Sequence, residues 1–292
     1  MRREARWGYI LTLPFTVHLL VFFAFPFFFS LYLTFTQWDM FNAPAWIGGK
    51  NWVRLLDDRS FWSSLRNILL FALVFVPLQT ILALVLAFFL NQSIRAKSFY
   101  RVIYFLPVVT PWLAGGTMWG WMMNKTYGLA NYLLGLLSLP PVDWLDSKHW
   151  VLPITSVALV NVWKGVGSSM IILLAAIQGV PKDLYEASSL EGASRWSMFW
   201  HIVFPIVSPM IFLVLILSTI SAFQAFDVFL VMFNAPNIVP DSKVTPNILI
   251  YKDAFLTTKM GYASAMSWAL FIVIMAVTLV QKRFEKRWVH YG

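Results

Sequence analysis

The chain contains no cysteine and little charge: of its 292 residues, only 12% are Asp, Glu, Lys or Arg, against roughly 25% in water-soluble domains. Without cysteine there is no disulfide framework and no thiolate nucleophile. Low-complexity tracts and collagen-like repeats are also missing. A chain that is 59% hydrophobic carries too much apolar surface to stay unfolded in water, and too little charge for an ordinary soluble fold. Its histidines, His18, His149, His201 and His290, are scattered without the spacing of a metal site. Gly48-Gly49-Lys50-Asn51 lacks both the first glycine and the Ser/Thr of a phosphate loop. No segment between the apolar runs is longer than 31 residues, which is too short to bury a catalytic core of its own.

What is present is a set of six long apolar runs, 9–35, 67–90, 102–123, 151–177, 206–233 and 261–281. A hydrocarbon core of about 30 Å takes roughly 20 helical residues to cross. The expected fold class is therefore all-α, a polytopic membrane protein whose residues 1–292 form a single transmembrane domain of six helices. Of 22 basic and 13 acidic side chains, only Lys164 and Asp227 fall inside the runs. A bilayer imposes that partition, because a charge at its centre costs about 2.5–3.5 kcal/mol even on insertion scales. Arg2, Arg3, Arg6, Arg95, Lys97, Arg101, Lys182, Arg195, Lys282, Arg283, Lys286 and Arg287 collect on one side in the shorter loops, with nine basic residues spread over the longer loops opposite. The positive-inside rule then places both termini in the cytoplasm. The net charge of +9 serves topology and contact with anionic membrane lipid, and nothing arranges it as a nucleic-acid surface. Trp7, Trp38, Trp62, Trp121, Trp150 and Trp288 stand near the proposed boundaries as headgroup anchors. The first run follows a basic stretch but lacks a small-x-small cleavage site before Gln37, so it is expected to remain as a helix.

The only long cytoplasmic connection, 178–205, reads QGVPKDLYEASSLEGASRWSMFWHIVFP. Pro181 suits a helix start, with Asp183 in the positive first turn; Gly192 permits a bend, and Ser194 can cap a second helix running toward Pro205. Lys182 and Arg195 stand against Asp183, Glu186 and Glu191, so the loop is net acidic on the side where topology rewards positive charge. A helix that only rests on anionic lipid should be basic. An acidic helix with the small row Ala187-Ser188-Ser189 is better suited to docking a protein, with Glu186 as the anchor for an arginine.

Glu186-Ala187-Ser188-x-x-Glu191-Gly192-Ala193, followed by Ile202 and Pro205, resembles the EAA loop of permease subunits in binding-protein-dependent ABC importers. RREARWGYILTLP, WIGGKNWVRLLDDRSFW, RAKSFYRVIYFLP, NVWKGVGSSMIILLAAIQGVPKDLYEA, SAFQAFDVFLV and GYASAMSWALF extend the resemblance to the sugar-type branch (maltose, glycerol-phosphate and oligosaccharide systems) along nearly the whole chain. Ser188 stands where the family often has alanine and Glu191 where it often has aspartate. The resemblance implies a type I importer permease fold in a prokaryotic plasma membrane. It implies a second, non-identical permease, two ATPase subunits and an extracytoplasmic sugar-binding protein as partners. This chain would bind no cofactor, with ATP and Mg held by the ATPases. Glu186 would be the ion-pairing anchor in the ATPase cleft, Ala187 and Ser188 the close-contact face, Glu191 a further coupling residue, and Gly192 the bend that sets the angle between the two helices. A self-contained secondary transporter is the alternative; it would need coupling carboxylates at the midplane, and only one acid enters a run.

Polar groups inside the fourth and fifth runs mark the substrate path, since lipid-facing positions do not tolerate them. Asn161, Lys164 and Ser168 share one helical face, and Gln224 and Asp227 another. Lys164 and Asp227 could form an interhelical ion pair, contact a sugar or act in gating, while Trp163 and Trp121 could offer an aromatic face. Pro107 and Pro111 should kink the third run beside the path.

Overall fold

The computed structural model describes residues 2–92, 95–233 and 243–290, with the side chains of residues 2–7, 9 and 10 outside that description. The anchoring role of Trp7 and the charges of Arg2, Arg3 and Arg6 therefore lie outside the described side chains. In chain order the elements are α1 (Arg2–Leu19), a short π-helical turn (Leu20–Ala24), α2 (Phe25–Leu33), β1 (Thr36–Gln37), β2 (Ala45–Trp46), α3 (Lys50–Asp57), α4 (Arg59–Asn91), α5 (Lys97–Val109), α6 (Trp112–Met122), α7 (Leu129–Leu136) and α8 (Val151–Gln178). They continue as α9 (Lys182–Leu190), α10 (Arg195–Met198), a second π turn (Phe199–Val203), α11 (Phe204–Phe223), α12 (Asp227–Met232), α13 (Pro246–Tyr251), a third π turn (Lys252–Leu256) and α14 (Met260–Glu285). Among the described residues, five helical stretches are long and apolar enough to cross a bilayer, and α5 with α6 makes a sixth if that bent pair is one span.

Two expected runs are not single helices. The third breaks at Thr110-Pro111, where α5 and α6 meet at 98°. That is far more than a proline kink, because Thr110 and Pro111 both leave the helical region, with ψ of 129° and 141°. The fifth ends at Phe223 and resumes only at Asp227, so Gln224 and Asp227 are not on one continuous helix.

The chain forms two compact units. The first comprises residues up to Phe61 together with Leu249–Phe271. Its leading span is only 6% buried, with Leu11, Phe15, Phe22 and Phe28 all exposed, which is tenable only in an apolar solvent. Polar ties fix the rest. Thr36 pairs with Trp46 and Gln37 with Ala45 in a two-stranded antiparallel ribbon, and the Asn51 amide donates to the carbonyls of Thr34 and Thr36 at 3.0 and 2.9 Å. Gly261 at the head of α14 meets the Thr36 carbonyl so closely that no side chain would fit. Beside it the Tyr262 hydroxyl donates to Asp58 at 2.5 Å, with the Arg54 guanidinium 4.0 Å over the ring.

The second unit, Trp62–Ile248 with the end of α14, holds most of the largest buried side chains, around α4 and α8. Phe71 and Phe75 stack at 5.5 Å, and Phe71 meets Phe229 edge-on at 5.0 Å. Small residues let helices approach: Gly167 of α8 lies against the Tyr104 backbone of α5, and Gly116 of α6 against Val231 of α12. On the connection between α6 and α8, buried Asn131 is fully satisfied, its amide donating to the carbonyls of Lys125 and Val142 and its oxygen accepting from Val142 N and Trp144 Nε1.

Candidate functional site: a polar cavity and the helical loop joined to it

Two features of the second unit stand out. One is a cavity of about 550 Å³ lined from α4, α5, α6, α8, α11 and α12. Its walls bring together Asn161, Lys164 and Ser168, as the helical spacing predicts, with Gln224 and Asp227. Those last two arrive from a break rather than a shared face: Gln224 ends α11 and Asp227 opens α12, where the helix N-terminus favours its negative charge. The break leaves carbonyls without helical partners, and the Asn247 amide donates to two of them, Phe223 and Ala225, at 2.8 and 3.2 Å.

Lys164 forms no ion pair with Asp227 among the described residues. Its ammonium donates instead to the carbonyls of Pro107, Val108 and Thr110 at 3.1, 3.1 and 2.5 Å, and lies 5.1 Å from the Trp112 ring centre. Trp163 is not on the cavity wall either. One residue before Lys164, it is carried about 100° around the helix and packs on Gly115 at 3.6 Å and edge-on to Trp119 at 5.6 Å. Trp121 is 67% exposed and also off the wall. The aromatic lining is Phe75, Trp112 and Phe226.

One polar position was missed by confining attention to the fourth and fifth runs. Gln79, buried in the middle of α4, lines the cavity and donates to Ser169 Oγ at 3.0 Å, while its own carbonyl oxygen is buried without a partner. A lone amide in an otherwise apolar run was the available signal for it. Ser218 and Ser221 of α11 complete a wall rich in hydroxyls and amides.

The second feature is the loop that joins α8 to α11. Pro181 stands at the N-cap of α9, Gly192 bends the chain with φ of +78°, and Ser194 Oγ accepts the Ser197 N–H at 3.1 Å to cap α10. α10 does not stop at Pro205, because a π turn carries it into α11. Glu186, Ala187, Glu191 and Gly192 are exposed. Ser188 is not: it is 6% exposed, and its hydroxyl donates to the Tyr185 carbonyl at 3.0 Å. The helix turns it inward, one residue past Ala187, so it is off the outward face. Leu190 and Trp196, 90% and 70% exposed, are the large apolar groups on that face, visible in the sequence as apolar residues in a polar loop. Behind them the Tyr185 hydroxyl is buried without a partner, and burial pushes its phenol above the ordinary range.

Comparison with known proteins matches this arrangement. Residues 79–290 fit the family model described as the binding-protein-dependent transport system inner membrane component. The chain is 32% identical to the probable ABC transporter permease protein YesP of Bacillus subtilis (strain 168), over all of this chain and 94% of that one. It is also 32% identical to the trehalose/maltose transport system permease protein MalF of Thermococcus litoralis, covering 95% and 93%. The sn-glycerol-3-phosphate transport system permease protein UgpA of Agrobacterium fabrum is 30% identical, covering 97% and 96%. In fold it resembles a chain of a bacterial ABC transporter involved in import of the acidic polysaccharide alginate, with a TM-score of 0.82 at 22% identity over 98% of this chain and 96% of that one. Long apolar spans, a helical loop between two of them and a match along the greater part of its length make the chain a member of the binding-protein-dependent transport system inner membrane component family, a multi-pass permease of the ABC importers.

Proposed function

We propose that the chain forms half of the translocation path for a sugar or oligosaccharide, and that the 178–205 loop receives the stroke of a cytoplasmic ATPase. One observation carries the reading: the loop joins α8 directly to α10 and α11, and α8 and α11 are both walls of the cavity. A displacement of the loop therefore reaches the cavity through two continuous helices, which is rigid-body switching between two states of a packed bundle. Glu186 is the anionic anchor for the ATPase, Ala187, Glu191, Leu190 and Trp196 form the surrounding contact face, and Gly192 holds the angle between α9 and α10. ATP and Mg are bound by two ATPase subunits; a second, non-identical permease and an extracytoplasmic binding protein complete the assembly. Both termini lie in the cytoplasm of a prokaryotic cell. A sugar is supported by the name of one relative, the trehalose/maltose permease, and by a wall of amides and hydroxyls beside aromatic rings.

The test is affinity purification of the chain in mild detergent, with and without Glu186→Lys. The native chain should bring down an ATPase, and the charge-reversed chain should recover at least tenfold less while retaining the second permease. Equal ATPase recovery by both would remove Glu186 from the interface and the loop reading with it.

A further inference from the structure

We propose that Lys164 is the cap of a helix broken inside the membrane: a positioning residue whose task is to hold α5 and α6 at their right angle, with no donor left over for a solute. In an unbroken helix the Pro107 carbonyl would accept from residue 111, but residue 111 is proline and has no N–H. The Val108 carbonyl would accept from Trp112, which instead opens α6 on the far side of the bend. Thr110, extended at ψ 129°, presents its carbonyl outside any helix. Of these three, only Pro107 O receives a backbone bond among the described residues, from Thr110 N at 3.2 Å. Hydrocarbon supplies no water to satisfy such groups, so a break at membrane depth is tolerated only where protein or a wet cavity covers it.

An ammonium has three donors, and Lys164 places them on these three carbonyls. The positive charge also suits the C-terminal end of α5, and the Trp112 face closes over it. One turn further along α8, Gly167 brings the helix against the Tyr104 backbone, so the lysine is seated by close helix packing. The consequence reaches the opposite wall, because α6, aimed by this bend, rests its Gly116 on Val231 of α12. The role is independent of what the chain transports.

The bend can be read as a distance. With no native cysteine, Val102→Cys and Trp121→Cys, on exposed positions of α5 and α6, take spin labels specifically in the full chain in lipid nanodiscs. At 1.5 Å per residue, the backbone separation is about 18 Å across a right angle and about 28 Å in a straight helix. The native chain should give one narrow distribution near the shorter value. Lys164→Met, which keeps length and loses all donors, should broaden it and shift it toward the longer one, and Lys164→Arg, rich in N–H donors, should restore it. A second label pair on α8, Leu159→Cys with Ile171→Cys, both exposed, should stay narrow throughout. Lys164→Gln, uncharged with two donors, repeats the test more gently and should lie between native and methionine. An unshifted, narrow distribution in Lys164→Met or in Lys164→Gln would overturn the proposal, as would a shift that arginine fails to reverse.

Discussion

Replacing Gly167 by alanine should destabilise this chain, while the same replacement at Gly120 should not, although both glycines lie inside helices. Glycine in a helix interior is worse than alanine by about 0.8–1.0 kcal/mol, so on propensity alone both changes should help. At Gly120 a Cβ would meet nothing within 4 Å, and the full propensity gain is expected. At Gly167 it would fall on the Tyr104 carbonyl oxygen, with the Tyr104 carbonyl carbon at 2.9 Å and Phe105 Cα at 3.1 Å. These are backbone atoms. They cannot swing aside as a side-chain tip can, and α5 is held by the Lys164 bonds as well. Overpacking costs about 1–3 kcal/mol, and the rigidity of the obstacle puts the site in the upper part of that range. The net effect at Gly167 is then a loss of about 1–2 kcal/mol once the propensity gain of about 1 kcal/mol is set against it. At 2–4 °C per kcal/mol, that lowers the melting midpoint by about 2–8 °C. Thermal unfolding of the purified chain in mild detergent, followed by loss of the monodisperse peak in size exclusion, measures it. A Gly167→Ala chain that melts at or above the native temperature would show that α5 and α8 are not in backbone contact there.

Asn131→Asp keeps the two acceptor bonds but turns both amide donors into oxygen facing the carbonyls of Lys125 and Val142, a loss of about 2–3 kcal/mol; limited proteolysis should cut the connection around 123–150 several-fold faster, and unchanged cutting would contradict the bonding. Tyr262→Phe removes a buried donor from Asp58, and hydrogen bonds to charged groups contribute about 1.5–3 kcal/mol. The melting midpoint should fall, and an unaltered midpoint would mean that water satisfies Asp58 equally well. Asn247→Leu strips the donor from the carbonyls of Phe223 and Ala225. Amide hydrogen exchange should then accelerate across the start of α12 while α8 keeps its protection, and equal acceleration in both would point to general loosening.

The spans were legible because a bilayer leaves a coarse mark: long apolar runs with charge expelled between them. The 178–205 loop was legible in finer detail, since Pro181, Gly192 and Ser194 each act on the backbone within a few residues of themselves. Helical spacing put Asn161, Lys164 and Ser168 on one wall; what failed were inferences that took chain neighbours to face the same way once helices are packed. Ser188 follows Ala187 in an unbroken small row, yet one step of helix rotation buries it. Trp163 sits beside Lys164 in the chain and is off the wall for the same reason, while Trp112 reaches the wall only because a different span bends. Pro107 and Pro111 announced a kink in the third run, but its 98° is held by a lysine more than fifty residues downstream. The fifth run carried less warning still: Gln224-Ala225-Phe226 contains neither proline nor glycine, and the amide that covers the break comes from Asn247.

Both interruptions have the same form, a gap in a spanning helix whose stranded carbonyls are met by one polar side chain from elsewhere in the fold. That order of cause changes how a polar residue inside a span should be read. In hydrocarbon a stranded carbonyl is worth several kcal/mol, so a buried donor near a helix break is claimed by the backbone before any solute can use it. Lys164 and Asn247 are claimed in this sense. Asp227 is an acceptor, of no use to a carbonyl, and it stands exposed on the cavity wall at the first turn of α12. The two charges of the cavity thus divide by chemistry: the cation holds the shape of the wall, and the anion faces the space that the wall encloses.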